Sequence, residues 1–482
     1  MQARRQQSRR RPTMSSPKFE ARRLNLSRSL RHIVGVAAVV LAPLVAPAAL
    51  FVSLAPAAQA QERAQAQAQA PAKPSAQEAL PTTISESARD ALARIRPSVA
   101  QIKGFFGSNT AQAFHGTGFA VAPNGVLLTN YHVVAQQVFY PEKYRLEYRT
   151  PDGATGKIVV LAVDVRHDLA VVRAESLDAK PLTLSRAVPA KGERAYSIGF
   201  PLDVGLTITE GVANGQVEDS FDPRIHYSGA INGGMSGGPA LNTGGQVIGI
   251  NVSGYRFEQL VSFLVPAVHA RELIDRATSK PLDAKDLRRD VVTQLRAHAV
   301  DLLGALQGPM PTQSVAGYSL PMKLSTFMDC SAAGDPAPDS PVQLVTINCS
   351  AKAGLFVQQG LYSGDIRYSH YVVTTDKLDA WRFSQKLSTL SSATGGYGSR
   401  QHVGPFACRS NVVKLKGFDA SLMICSRSYR KLEGLYDFTV RVISLNQAYR
   451  GYATHVDMHG MDFDSAMQFI RRFVDTMQWE PS

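Results

Sequence analysis

Cysteine is absent from the first 329 residues of this 482-residue chain. Whatever chemistry that stretch carries does not run through a thiol. A phosphate-cradling glycine loop, a dinucleotide fingerprint and internal repeats are also missing, which sets aside nucleotide-dependent enzymes and repeat arrays. Basic charge is missing where a nucleic-acid binder would need it. The net charge is +13, but residues 1–32 hold ten Arg or Lys against one Glu, a local +9, leaving 13 − 9 = +4 for the rest. The excess belongs to the N-terminal end rather than to a folded surface, and no nucleic-acid partner is expected.

That basic end opens onto an apolar run, Ile33 to Ala58, broken by Pro43, Pro47 and Pro56 and closed by Ala58-Gln59-Ala60. A basic segment, an apolar stretch and an A-x-A site are the parts of a signal peptide. The run is long enough to span a bilayer, so an uncleaved anchor stays open, and membrane contact is expected only in that case. Both readings place the remainder outside the cytoplasm, in the bacterial periplasm or secreted. Gln61 to about Pro81 is Ala/Gln/Pro-rich and cannot bury a core, so it reads as a tether. In an exported chain the four cysteines, Cys330, Cys349, Cys408 and Cys425, point to two disulfides. Three pairings are open, and neighbour pairing (330 with 349, 408 with 425) is the simplest.

From Val99 to about Ala267, short β-rich runs alternate with turn signals: "GTGFAVAPNGVLLTN", "GKIVVLAVD", "DLAVVRAE", "RAYSIGFP", "GQVIGINVSG". Short strands at regular spacing without intervening helices predict an antiparallel barrel or sandwich. Within this region "INGGMSGGPA", Ile231 to Ala240, sets four glycines within three residues of Ser236. Such a cluster implies a backbone held in an unusual shape. A nucleophilic serine further needs an imidazole base and a carboxylate to orient it. His132 in "LLTNYHVV" follows an extended apolar run and is read as a strand-end residue facing a cleft. Asp168 in "DVRHDLAVV" opens an apolar strand and should be partly buried, where it needs a partner. Asp164 is read as a turn residue, and His115, His167 and His226 as solvated or structural.

Taken in order, "RPSVAQI", "GTGFAVAPNGVLLTNYHVV", "DVRHDLAVVRAE", "SIGFPLDVGLTITEGVANG", "INGGMSGGPALNTGGQVIGIN" and "LVSFLVPA" resemble the trypsin-like serine proteases of the HtrA/Deg type. The resemblance covers roughly residues 85 to 270. It implies two packed six-stranded β-barrels with a Ser-His-Asp triad in the cleft between them and no cofactor or metal. On this pattern His132 resembles the general base, Asp168 the orienting carboxylate and Ser236 the nucleophile. The N–H groups of Gly234 and Ser236 match the oxyanion hole. Ala230, Ile231 and Ile250 are expected to line an apolar primary pocket selecting small or medium apolar side chains. Met235, just before the nucleophile, cannot pair with a freed N-terminus as the aspartate of digestive-type relatives does. Polypeptide substrates and homo-oligomers, trimers among them, are also implied by the family.

The expected organisation is a signal peptide or anchor at 1–60, a linker at 61–82, a trypsin-like protease domain at 83–280, a connecting helix at 281–308 and a separate small α+β domain at 309–482. The connecting helix is read from Leu287, Val291, Leu295, Ala299 and Leu302 at three- and four-residue steps. In the last domain "AGLFVQQGLYSGDI" echoes a PDZ carboxylate loop, but its spacing is too long and it is set aside. His455 and His459 have metal-sharing spacing without the flanking glutamate of a zinc protease, and are read as strand or solvated residues. Tyr362, Tyr368 and Tyr371 are read as a core or hairpin face. The whole reads as a serine endopeptidase. A chaperone-like or peptide-binding protein with an inactive barrel is the alternative.

Overall fold

Alternating burial along short strands, with β-branched residues turned inward, is what closes a sheet into a barrel and removes its exposed edges. The structure, a computed structural model, describes residues 84–254, 261–334, 337, 339–390, 398–445 and 448–480. All of them lie in the unit Ala79–Ser482. The expected signal peptide and the tether lie outside the described residues.

Helix α1 (Ile84–Ile95) leads into β1 (Val99–Phe106), β2 (Gln112–Ala122) and β3 (Val126–Thr129). Helix α2 (Tyr131–Phe139) follows, then β4 (Tyr144–Arg149), β5 (Thr155–Asp164) and β6 (Leu169–Ala174). These six strands close in the order β1-β2-β3-β6-β5-β4. The next six are β7 (Glu193–Gly199), β8 (Thr207–Gln216), β9 (Ile225–Tyr227), β10 (Pro239–Asn242), β11 (Val247–Gly254) and β12 (Ser262–Pro266). They close as β10-β11-β12-β9-β8-β7, so the first part of the described chain is a double six-stranded antiparallel barrel. Phe119 and Leu128 of the first barrel share a core with Ile198, Leu241 and Val265 of the second.

Two helices follow, α3 (Ala270–Ser279) and α4 (Ala284–Ala305). Asp283 starts α4 by accepting from the N–H groups of Lys285 and Asp286, and its buried stripe is Leu287, Val291, Leu295, Ala299 and Leu302. Gln294 on α4 accepts from the Val165 N–H (2.7 Å) and donates to the Val163 carbonyl (2.9 Å). The helix is thereby fastened to the β5–β6 turn.

The C-terminal part comprises β13 (Thr312–Val315), β14 (Tyr318–Pro321), β15 (Met328–Gly334), β16 (Gln343–Ala351), β17 (Leu355–Gln358), β18 (Leu361–Ser363), β19 (Asp365–Thr374), α5 (Ala380–Thr389), β20 (Ala407–Leu415), β21 (Phe418–Ser428), β22 (Tyr436–Ser444), β23 (Arg450–Met461), α6 (Phe463–Asp475) and β24 (Gln478–Trp479). Seven of these strands form an antiparallel sheet ordered β15-β16-β19-β23-β22-β21-β20. Disulfides join Cys330 to Cys349 and Cys408 to Cys425. Each ties an edge strand of the sheet to its inner neighbour, β15 to β16 and β20 to β21. Buried residues of α2 (Val134, Val138), α4 (Leu287, Val291) and this sheet (Tyr368, Val440, Val456) belong to one contiguous core.

Candidate active site

Asn130, the N-cap of α2, makes no capping bond with its side chain. The unpaired N–H groups of a helix start need acceptors, and Asp168 supplies them. Its carbonyl accepts from the Tyr131 N–H (3.1 Å) and from Asn130 Nδ2 (2.8 Å). Its carboxylate accepts from the His132 N–H (2.9 Å) through Oδ1 and pairs with His132 Nδ1 (2.7 Å) through Oδ2. One residue thus fixes both the backbone and the ring of His132, and engages Nδ1 so that Nε2 is the nitrogen left to accept a proton. Asp168 adopts φ 57, a left-handed conformation that Asp tolerates better than most residues and that clusters at functional sites. Burial disfavours the imidazolium of His132, but the charge of Asp168 and its hydrogen bond outweigh it, and the pKa rises above the usual histidine value.

His132 is therefore the second residue of a helix rather than a strand-end residue. Asp164 also differs from expectation: it ends β5, pairs with His167 Nδ1 (2.7 Å), and is held below the usual carboxylate range by that bond, against the effect of burial. His167 stacks on His269, ring centroids 4.1 Å apart, so this second His–Asp pair is closed off on its other side. His226 lies on β9.

Ser236 follows a turn in which the Met235 N–H donates to the Asn232 carbonyl (3.0 Å). Gly234, third in that turn, has φ 99, the mark of a type II turn that requires glycine there. A side chain at Gly234 would also strike the Phe200 carbonyl and the His115 ring, and one at Gly237 the Thr117 carbonyl and Thr129 hydroxyl. The N–H groups of Gly234 and Ser236 donate to no acceptor among the described residues. The Ser236 hydroxyl donates to the Val252 carbonyl (3.1 Å).

Two side chains that belong to no motif hold this loop. Thr117 is fully buried. It donates through Oγ1 to the Gly234 carbonyl (2.7 Å), accepts there from the Phe200 N–H (3.1 Å), and its own N–H reaches the Ser236 carbonyl (2.8 Å). Asn251, also fully buried, donates to the carbonyls of Ile198 (3.0 Å) and Met235 (3.3 Å). Met235 itself is buried without exposure. A small polar residue beside a glycine-rich loop is the only signal either left in the sequence.

Of the residues expected to line the primary pocket, Ala230 is exposed and Ile231 packs beside the core of the second barrel. Ile250 is a correction. It is fully buried in the hydrophobic cluster that the two barrels share, so its side chain is core. His455 and His459 lie on β23, and Tyr368 and Tyr371 on β19. Tyr362 on β18 is exposed and reaches back to the cavity beside His132. No group of three metal-ligating side chains occurs among the described residues, and none of their helices is long and apolar enough to cross a membrane.

The trypsin-like peptidase domain family matches residues 116–250. A relative described as a probable periplasmic serine endoprotease, DegP-like, from Chlamydia pneumoniae is 30% identical over 235 residues, 47% of this chain and 44% of that protein. The mitochondrial serine protease HTRA2 of Bos taurus is 34% identical over 176 residues, 34% of this chain and 37% of that protein. The chain thus spans less than half the length of these curated relatives. Among solved structures, Deg5 matches 40% of this chain and 95% of its own at 23% identity and a TM-score of 0.36. Residues 116–250 are a trypsin-like peptidase domain, homologous to the HtrA/DegP serine proteases.

Proposed function

We propose that this chain is a serine endopeptidase that hydrolyses peptide bonds of exposed or unfolded polypeptides outside the cytoplasm through an acyl-enzyme. The observation that carries this reading is the double grip of Asp168 on His132, set beside a serine loop that leaves two amide N–H groups unengaged.

In the proposed mechanism the Ser236 hydroxyl leaves the Val252 carbonyl and donates to His132 Nε2. Such bonds are commonly loose before substrate binds and tighten in the complex. Ser236 Oγ then attacks the scissile carbonyl carbon as Nε2 takes its proton. The oxyanion is received by the Gly234 and Ser236 amides, each such donor contributing roughly 2.7–4 kcal/mol. The imidazolium, stabilised by Asp168, returns the proton to the leaving amine, and water repeats the sequence on the acyl-enzyme. Substrate backbone fits the edge of β11 from Val252 on, past Asn251, whose N–H and carbonyl are taken by Gly238 and Gly237, as an added antiparallel strand. An extracytoplasmic setting is supported by the basic and apolar N-terminal stretch, by two disulfides, and by the word periplasmic in the name of the Chlamydia relative.

The orientation of the Ser236 hydroxyl toward Val252 favours one other reading, a peptide-binding barrel with an idle triad. Casein hydrolysis separates the two. The endopeptidase reading expects cleavage by the wild type and none by Ser236→Ala, whereas intact casein retained by both proteins supports the binding reading.

A further inference from the structure

The wall of the cleft beside the candidate base does not come from the barrels alone. Hairpin β17–β18, part of the C-terminal region, is laid against α2. The buried Tyr131 hydroxyl donates to the Val357 carbonyl (2.7 Å). The Phe356 ring stands edge-on to His132 with centroids 6.0 Å apart, and Tyr362 packs edge-on against Phe356 at 5.7 Å. Between hairpin and barrels lies a cavity of about 590 Å³ whose lining includes His132, Val252, Phe263, Phe356 and Tyr362. Arg166, Arg224 and Lys352 also border it.

Strand geometry says which substrate residue faces this cavity. A substrate strand laid along β11 points successive side chains to opposite faces. If the residue supplying the scissile carbonyl turns toward the Ala230–Ile231 side, its neighbour one step upstream turns toward His132. We propose that Phe356, with Tyr362 behind it, forms the subsite for that upstream residue, and that the subsite selects an uncharged apolar side chain and rejects a basic one. The aromatic faces supply the apolar contact. Of the bordering charges, Arg166 is paired with Asp222 and Asp301, Lys352 with Asp329, and Asp168 with His132, so the wall offers a basic side chain no unpaired carboxylate. The C-terminal region is then a specificity element of the cleft rather than an appended module. This inference rests on the endopeptidase reading.

The test uses the full chain and fluorogenic peptides held constant except at the upstream position, read as kcat/KM and as the rate of fluorophosphonate labelling. Wild type should prefer Leu over Ala and over Lys there, by about tenfold or more, the scale of discrimination a hydrophobic pocket supplies. Phe356→Ala should cut the Leu-over-Ala preference severalfold through KM, and Phe356→Leu should cut it less. Labelling reports whether Ser236 is still reactive in each variant, and preferences are compared only among proteins that label. If Phe356→Ala no longer labels, Phe356→Leu carries the comparison. A wild type that hydrolyses peptides with no upstream preference, or a preference unchanged in labelled variants, overturns the subsite alone. A wild type that neither labels nor cleaves overturns the endopeptidase reading and the subsite with it.

Discussion

Thr117→Val is the most informative perturbation of the serine loop, because it keeps the shape of the side chain and removes one oxygen. That oxygen donates to the Gly234 carbonyl and accepts from the Phe200 N–H inside a fully buried site. Its loss leaves a buried N–H and a buried carbonyl unpaired, at about 1–3 kcal/mol for each such group. For the two groups together the expected destabilisation is about 2–6 kcal/mol. The functional effect should be separable. The Gly234 carbonyl is one of the anchors that hold Gly234 at φ 99, the conformation that aims its N–H outward. Losing alignment of one oxyanion donor costs about 10²–10³ in kcat. The assay is fluorophosphonate labelling and peptide hydrolysis well below the melting temperature, where the variant remains folded. A fall of that size in kcat with little change in KM is expected. A folded Thr117→Val with wild-type kcat would refute the argument that this hydroxyl sets the loop.

Further outcomes follow from the same geometry. The raised pKa of His132 places the acidic limb of kcat/KM above the ordinary histidine value of 6.5, since the base is protonated and idle below it. Asp168→Asn should lower kcat by about 10⁴ through the wrong tautomer, and a pH profile measured on both proteins checks the pair together. In the C-terminal region, burial pushes His370 down to about 4, partly offset by its bond to the Pro321 carbonyl. The folded chain therefore holds this ring neutral where the unfolded chain protonates near 6.5, so stability falls as pH drops from 6.5 toward 4 and levels off below. At 1.36 kcal/mol per unit the loss is about 3 kcal/mol, and His370→Gln should flatten that part of a denaturant-midpoint series against pH. Each disulfide closes a loop of 19 or 17 residues, worth roughly 3 kcal/mol in the chain-entropy account. Reduction should lower the Tm of the C-terminal sheet by calorimetry and loosen its two edge strands first in hydrogen exchange.

The double barrel was legible because its strands are short, bounded by turns such as Pro123-Asn124-Gly125, and set no helix between them long enough to confuse the period. The one helix inside the first barrel escaped notice. "YHVVAQQVF" is as apolar as a strand, and its start is capped from Asp168, which is 36 residues away from His132 in the chain and invisible to a local reading. Asp164 is different: its partner His167 is only three residues on, but the residue still closes β5 rather than lying in the turn that follows. Ile250 was placed in a pocket on its apolarity alone, which does not distinguish a pocket wall from a barrel core. Thr117 and Asn251 carry no motif of their own, and their importance comes from three-dimensional closeness to Gly234 and Met235. Phe356 and Tyr362 lie in a stretch whose echo of a peptide-binding loop says nothing of this role. What that stretch does depends on its docking against α2, over two hundred residues earlier.

The account's central claim is that Ser236 is a nucleophile activated by His132 and Asp168. Intact-protein and peptide mass spectrometry after treatment with a fluorophosphonate test it most directly. The account expects one adduct per chain, on the peptide containing Ser236, absent in Ser236→Ala and strongly slowed in His132→Ala. A folded wild type that takes up no adduct, or takes it up equally in Ser236→Ala, would contradict it.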